Sequence, residues 1–159
     1  VVAYSAAISA CDKSGQWQSA LGLFAQMSSR GVPLDPIACT AAISACGRGL
    51  QLDRMLDLLR GMPRRGLGRD AVVYGIAMNA YERGKQLNQA IGLFDEMRER
   101  GPRPNLVTYS AAISACEKSA WWEKALLLFQ ELRRSGLQSD AVLYSAAISA
   151  CEKGGRWDL

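Results

Sequence analysis

Apolar residues recur along this chain three or four places apart, and the segments that carry them recur in turn. In SALGLFAQM (19–27) Leu21, Phe24 and Met27 share one side of a helix, as do Ile91, Phe94 and Met97 in NQAIGLFDEM (88–97). EKALLLFQEL (123–132) repeats the pattern, with polar residues between, which predicts amphipathic helices. A second set has the same spacing: Tyr4, Ala7, Ile8 and Cys11 lie in YSAAISAC (4–11), which returns at 109–116 and 144–151. CTAAISAC stands at 39–46 and YGIAMNAY at 74–81, so the starts at 4, 39, 74, 109 and 144 are 35 residues apart each time. A frame opened at Val1 divides the chain into units 1–35, 36–70, 71–105 and 106–140, with a partial unit 141–159. Positions below are counted within that frame.

Glycine and proline punctuate the helical segments. The region of Gly15, Gly49, Gly84 and Gly154 is expected to break the first helix of each unit from the second. Gly31, Gly66, Gly101 and Gly136 follow the second helix, where a left-handed residue closes a helix most cheaply. Short segments rich in Pro, Asp or Asn (33–36, 102–105) then lead into the next unit. The small side chains of Ala7 and Ala10 and their counterparts let neighbouring helices approach closely. One helical pair cannot bury both its apolar faces, so copies must stack into a continuous core. The expectation is an all-α, right-handed superhelical α-solenoid of helix–turn–helix repeats. Unit 36–70 departs most: Met55 replaces an alanine at the helix crossing, and Gly61 with Pro63 should end the second helix early.

The pattern V-x-Y-[ST]-x-x-I-x-A-C-x-K, then A-L-x-L-F-x-x-M-x-x-x-G, closing on Asp or Asn at position thirty-five, resembles the pentatricopeptide repeat along the whole chain. The tetratricopeptide repeat has a period of about 34 and a Leu-Gly pair in its first helix. Here Ile8, Ile43, Met78, Ile113 and Ile148 fill that glycine slot, so this competitor fails. The resemblance implies that first helices line a concave groove, that second helices form the outer layer, and that single-stranded RNA runs along the groove with one base per repeat. It assigns the packing of base faces to position two: Val2, Ile37, Val72, Val107 and Val142. It assigns the Watson–Crick edges to position five (Ser5, Thr40, Gly75, Ser110, Ser145) and position thirty-five (Asp35, Asp70, Asn105, Asp140). A small hydroxyl beside an acceptor-only aspartate suits the N–H donors of guanine. Units one, two and four thus point to G, and Gly75 with Asn105 leans to A, giving a purine tract near GGAG.

Charge adds one column. Position thirteen is basic in every unit (Lys13, Arg48, Arg83, Lys118, Lys153), which matches a ladder of phosphate contacts but also a solvated helix end where cations suit the macrodipole. Acidic neighbours at Asp12, Glu82, Glu117 and Glu152 weaken the net field. The formal charge of +4 tolerates a polyanionic partner without requiring one.

The chain has no histidine, which excludes any histidine-based triad and the commonest metal ligand. Asp53 and Asp57 are scattered on a helix surface, the H-x-E and C-x-x-C pieces of a zinc deaminase are missing, and no enzyme, cofactor, metal or small-molecule substrate is expected. Cys11, Cys46, Cys116 and Cys151 share one position and Cys39 fills a tyrosine slot. Equivalent residues of stacked helices lie about 8–10 Å apart, beyond the roughly 7 Å of a disulfide, so reduced buried thiols are expected. Trp17, Trp122 and Trp157 alternate with Leu52 and Leu87 at the start of second helices, which reads as packing, whereas Trp121 is expected to be exposed and available to a partner. No apolar run approaches the roughly 18–20 residues that span a membrane. The chain opens on Val1 with nothing resembling a targeting segment, and reads as a piece of a longer protein.

Sequence-selective RNA binding in organellar RNA processing, stability or translation (mitochondrion or plastid) is what the resemblance implies, alongside other proteins of an RNA-processing complex. The competing expectation is a protein-binding solenoid scaffold or a structural part of a ribonucleoprotein assembly.

Overall fold

The computed structural model describes residues 1–138 and 140–155. Among them nine α-helices follow one another: α1 (Val2–Lys13), α2 (Trp17–Ser29), α3 (Pro36–Arg48), α4 (Leu52–Gly61), α5 (Ala71–Arg83), α6 (Leu87–Arg100), α7 (Leu106–Lys118), α8 (Trp122–Arg134) and α9 (Ala141–Lys153). Odd-numbered helices are the first, and even-numbered the second, of successive antiparallel hairpins. Each first helix packs on the first helices before and after it, and each second helix wedges between its own first helix and the next. Among the described residues no second helix brings its backbone close to another second helix; α6 and α8 meet only through long side chains, Lys124 with Asp95 at 2.6 Å and Arg98 with Glu131 at 3.2 Å. A layer in direct contact beside a layer that is fanned apart bends toward the contacting side. The fold is therefore an α-solenoid with its first helices on the inner face.

Side-chain caps start the later first helices. Asp35 Oδ1 accepts from Ala38 N–H at 2.7 Å, Asp70 from Val73 at 2.9 Å, Asn105 from Thr108 at 3.0 Å and Asp140 from Leu143 at 2.9 Å. Such a cap contributes about 1 kcal/mol. Second helices begin without one. They are held instead by the turn before them, where the amides of Gln16, Gln51, Gln86 and Trp121 reach back to the carbonyls of Cys11, Cys46, Tyr81 and Cys116 at 2.8–2.9 Å.

That turn falls in the glycine-bearing region, as expected, and separates the roles of its glycines. Its left-handed residue is position fifteen: Gly15, Leu50, Lys85, Ala120 and Gly155, with φ of 53° to 78°. Gly49, Gly84 and Gly154 stand one place earlier with ordinary φ. They are small for another reason. A Cβ on Gly49 would lie 2.6 Å from the Trp17 ring, on Gly84 2.8 Å from Leu52, and on Gly154 2.4 Å from Trp122. The residue opening each of these second helices thus rests on the turn of the following hairpin, the packing role expected for Trp17 and Trp122. Trp157 lies outside the described residues.

After the second helices, Gly31, Gly66 and Gly136 adopt the expected left-handed conformation, but Gly101 is extended (φ −110°, ψ −166°). Pro102 follows it; proline has no N–H to close the left-handed cap and pushes its predecessor toward extended backbone. Helix α4 ends at Gly61, as expected, and a single 3₁₀ turn, Pro63–Arg65, follows.

The core is a continuous double row. Ile8, Ile43, Met78 and Ile113 are fully buried along the first helices, with Ala42, Ala77 and Ala112 beside them. Met27, Met62, Met97 and Leu132 are buried where second helices end. The five cysteines are free; burial pushes Cys46 and Cys116 up to about 11 and raises Cys39. No described helix is long and apolar enough to cross a membrane.

Candidate functional site

The inner face is set by what the first helices leave uncovered. Their buried sides are committed to neighbours, so positions two, nine and thirteen look out of the stack, while position five, on the same side, lies deeper and ranges from buried at Ser5 to exposed at Ser145. Val2, Ile37, Val72, Val107 and Val142 are exposed by 56% to 82%. Leaving β-branched side chains in water once per hairpin has no packing rationale, and such a row is the mark of a contact surface. The row is rigid, because β-branched residues in helices hold one χ1 rotamer.

Between these apolar posts lie clefts. One, of about 740 Å³, is lined by Val107 and Val142 together with Ser110, Ser145 and Asp140. Another, of about 440 Å³, brings Val2 and Ile37 together with Ser5, Asp35 and Lys13. In the first and fourth units the residues assigned from sequence to positions two, five and thirty-five are thus neighbours in space, on the first-helix face.

The position-thirty-five residues do double duty. Each spends Oδ1 on capping the helix that follows, which leaves its second polar atom out of the cap. For Asp35, Asp70 and Asp140 that atom is a carboxylate oxygen, an acceptor. For Asn105 it is the amide nitrogen, a donor, because the cap demands that the oxygen face Thr108. Thr108 returns a bond to the Asn105 amide at 2.9 Å, completing a capping box. At position five, Ser5 is buried and its hydroxyl lies 2.8 and 2.9 Å from the two Asp35 oxygens. Thr40 and Ser110 are half-buried and Ser145 is exposed. Gly75 leaves a gap where a Cβ would only touch Val107 Cγ1 at 3.4 Å.

The basic column behaves differently from a free phosphate ladder. Arg48 Nε donates to Asp12 at 3.0 Å, Lys153 pairs with Glu117 at 2.8 Å, and Lys118 pairs with Glu82. Lys13 and Arg83 have no ion pair among the described residues. Serines at position nine join in, Ser114 donating to Glu82 and Ser149 to Glu117, each at 2.8 Å. The bond from Lys153 holds the Glu117 carboxyl below the usual carboxylate range, against the opposing effect of burial. Sequence reasoning missed position nine. Its signal was present: serine in four units out of five, three places before an acid-and-base doublet.

Trp121, at the start of α8, is 45% exposed with the Lys124 ammonium 5.9 Å from its ring. Among the described residues no cluster of acidic or cysteine side chains is placed to hold a metal ion.

Known proteins share this architecture. The chain is similar to pentatricopeptide repeat protein PPR10 in complex with an 18-nt psaJ RNA element: identity is 27% over 97% of this chain and 22% of that one, with a TM-score of 0.81. PPR10 from maize, in another structure, superposes with a TM-score of 0.58 at 24% identity, over 97% of this chain and 27% of that one. The PPR domain of Arabidopsis thaliana protein-only RNase P 1, in complex with tRNA, shares the fold at 16% identity, with a TM-score of 0.81, over 95% of this chain and 80% of that one. The chain therefore spans only about a fifth of PPR10. No curated protein matches it. The profile of the PPR repeat matches residues 2–32, 37–67 and 107–137, and that of the PPR repeat family matches 69–118. With the repeat matched over more than half its length, the chain belongs to the pentatricopeptide repeat family.

Proposed function

We propose that this chain binds single-stranded RNA along its first-helix face, one base to each unit of the frame 1–35, 36–70, 71–105 and 106–140, and serves organellar RNA metabolism as a binding surface and not as a catalyst. The observation that carries the reading is a row of exposed β-branched posts with clefts between them, one holding Ser5 with Asp35 and another Ser110 with Asp140. Val2, Ile37, Val72, Val107 and Val142 wall off successive bases; the pairs Ser5–Asp35, Thr40–Asp70, Gly75–Asn105 and Ser110–Asp140 meet base edges, with Ser145 opening the next. Capping supports the letters. It leaves a second carboxylate oxygen, an acceptor, outside the cap at Asp35, Asp70 and Asp140, which complements the N1–H and N2–H of guanine; at Asp35 the Ser5 hydroxyl that now donates to it must give way. At Asn105 it leaves a donor, which complements the N1 acceptor of adenine. A tract near GGAG follows. The RNA bound by PPR10 supports the class of ligand.

The test is fluorescence anisotropy with RNA containing GGAG against RNA containing CCUC, at two salt concentrations. Each correct base should be worth about 1–3 kcal/mol, so the purine word should bind at least tenfold tighter. Equal affinity for both words removes the base assignment, and no binding of either favours a scaffold for proteins.

A further inference from the structure

Consecutive first helices are joined by rungs of polar side chains across the inner face. Position twelve of one hairpin supplies a carboxylate, and positions nine and thirteen of the next reach it. Glu82 holds Ser114 and Lys118; Glu117 holds Ser149 and Lys153; Asp12 holds Arg48. A cation so held is already neutralised, and a phosphate that approaches it also meets the carboxylate. Such a rung adds little to the attraction for a polyanion.

One rung is broken. Between α3 and α5 the acid is replaced by Gly47, the serine by Asn79, and the cation is Arg83. Packing gives the reason for the glycine: a Cβ at Gly47 would lie 2.8 Å from the Ala80 Cβ, with Met55 Sδ at 3.6 Å and an Arg83 Nη atom at 3.7 Å. The Arg83 guanidinium thus hangs beside the place where the carboxylate would be, and Arg83 makes no ion pair among the described residues. Asn79 is exposed one turn before it on the same face, and it lines the cleft that continues to Glu82 and Ser110. Lys13 is the other cation of this column without an ion pair, but no position twelve precedes it in these residues, so its case says nothing about the ladder.

We infer that Arg83, assisted by Asn79, is the phosphate anchor in the middle of this surface: the rung at which the backbone of a bound single strand is gripped, while Arg48, Lys118 and Lys153 chiefly tie hairpin to hairpin. This rests on the RNA-binding reading. The chemistry suits it. Guanidinium offers a planar fork of donors that matches two phosphate oxygens, and an unpaired cation releases its full share of counterions when it meets the strand.

The experiment is the salt dependence of binding of GGAG-containing RNA to the full chain, with matched variants. For a single strand each neutralised phosphate contributes about 0.7 to the slope of log K against log salt. Arg83→Gln should flatten the slope by about that amount and weaken binding severalfold at low salt, and Arg83→Lys should retain most of the slope. Arg48→Gln, the same change at a closed rung, should leave the slope nearly unaltered. Glu82→Gln, which opens a rung, should steepen it. Arg83 is exposed, so its variants should keep the wild-type melting temperature, which circular dichroism checks. Equal slope changes for Arg83→Gln and Arg48→Gln, with binding intact, overturn the anchor and leave RNA binding standing. Wild-type chain that binds no RNA at any salt overturns both.

Discussion

The second and fourth hairpins start from nearly the same first helix and continue into very different second helices. In α3 the run is CTAAISACGR and in α7 it is YSAAISACEK, and both bury the same alanines, isoleucine and cysteine. Helix α8 then runs for 13 residues, whereas α4 stops after 10, at Gly61. Even so Met62, beyond the end of α4, is 1% exposed, in the place held by Met27, Met97 and Leu132. The difference teaches where this fold is strict. A first helix must tile against two others of its kind, so its surface admits only small side chains at the crossings. A second helix has no close backbone approach to another second helix, only side-chain ion pairs such as those between α6 and α8, so it can lose a turn provided that one anchor still reaches the core.

The largest expected effect tests the strict layer. Ile43→Ala and Ile113→Ala remove equivalent, fully buried side chains and should each destabilise the chain by about 2–5 kcal/mol in urea unfolding. Similar losses are expected although one hairpin is regular and the other is not. A small loss at Ile43 alone would mean that the broken α4 loosens its first helix too, and the comparison would fail.

Next comes the compensation inside the irregular hairpin. Met55 is fully buried where Ala20, Ala90 and Ala125 stand elsewhere, and its Sδ lies 3.6 Å from where a Cβ on Gly47 would be, so the two positions are in contact. Met55→Ala should cost about 2–5 kcal/mol on its own, and Gly47→Ala should also destabilise. The double variant should lose less than the sum by about 0.5–3 kcal/mol. Strict additivity would show that the two residues are independent oddities.

Caps and turns give smaller effects. Asp70→Ala should cost about 1 kcal/mol by thermal unfolding, and Asp70→Asn a few tenths, since asparagine caps as well as aspartate. The second change keeps the helix start and turns a donor toward the groove, so the second base preference should leave G while stability stays. A preference that remains on G separates capping from base contact. Finally, Leu50 and Ala120 occupy the same left-handed turn position in the two hairpins, φ 53° and 58°. Leu50→Gly and Ala120→Gly should each stabilise by about 1 kcal/mol, alike in both, since the turn belongs to the strict layer.

Much of this was legible in the residues because a period multiplies weak signals. Nine helices follow from two apolar patterns repeated in register, and the early end of α4 from Gly61 and Pro63. The columns of the proposed site stand out as positions that stay Val or Ile, Asp or Asn, and, but for Gly75, Ser or Thr. What escaped has common physical roots. Gly101 was misassigned because a glycine after a helix signals a left-handed cap only when the following residue can donate an N–H, and Pro102 cannot. Gly49, Gly84 and Gly154 do stand where first helices end, but their smallness also answers a side chain of the previous hairpin, which no single unit reveals. The Asp12–Arg48 and Glu82–Lys118 pairs were read as doublets along one helix, where twelve and thirteen do not face each other, when their partners lie one repeat away.

That socket arrangement has a consequence for rebuilding such arrays. Trp17 rests on Gly49 and Trp122 on Gly154, whereas Leu87 is followed at the corresponding place by Ser119. A shuffled protein that put a tryptophan-bearing hairpin ahead of α7 would drive an indole into a serine side chain. Hairpins of this chain are therefore not interchangeable bricks. The transferable module runs from one tryptophan to the glycine that receives it, and any recombination of reading letters must cut outside that span.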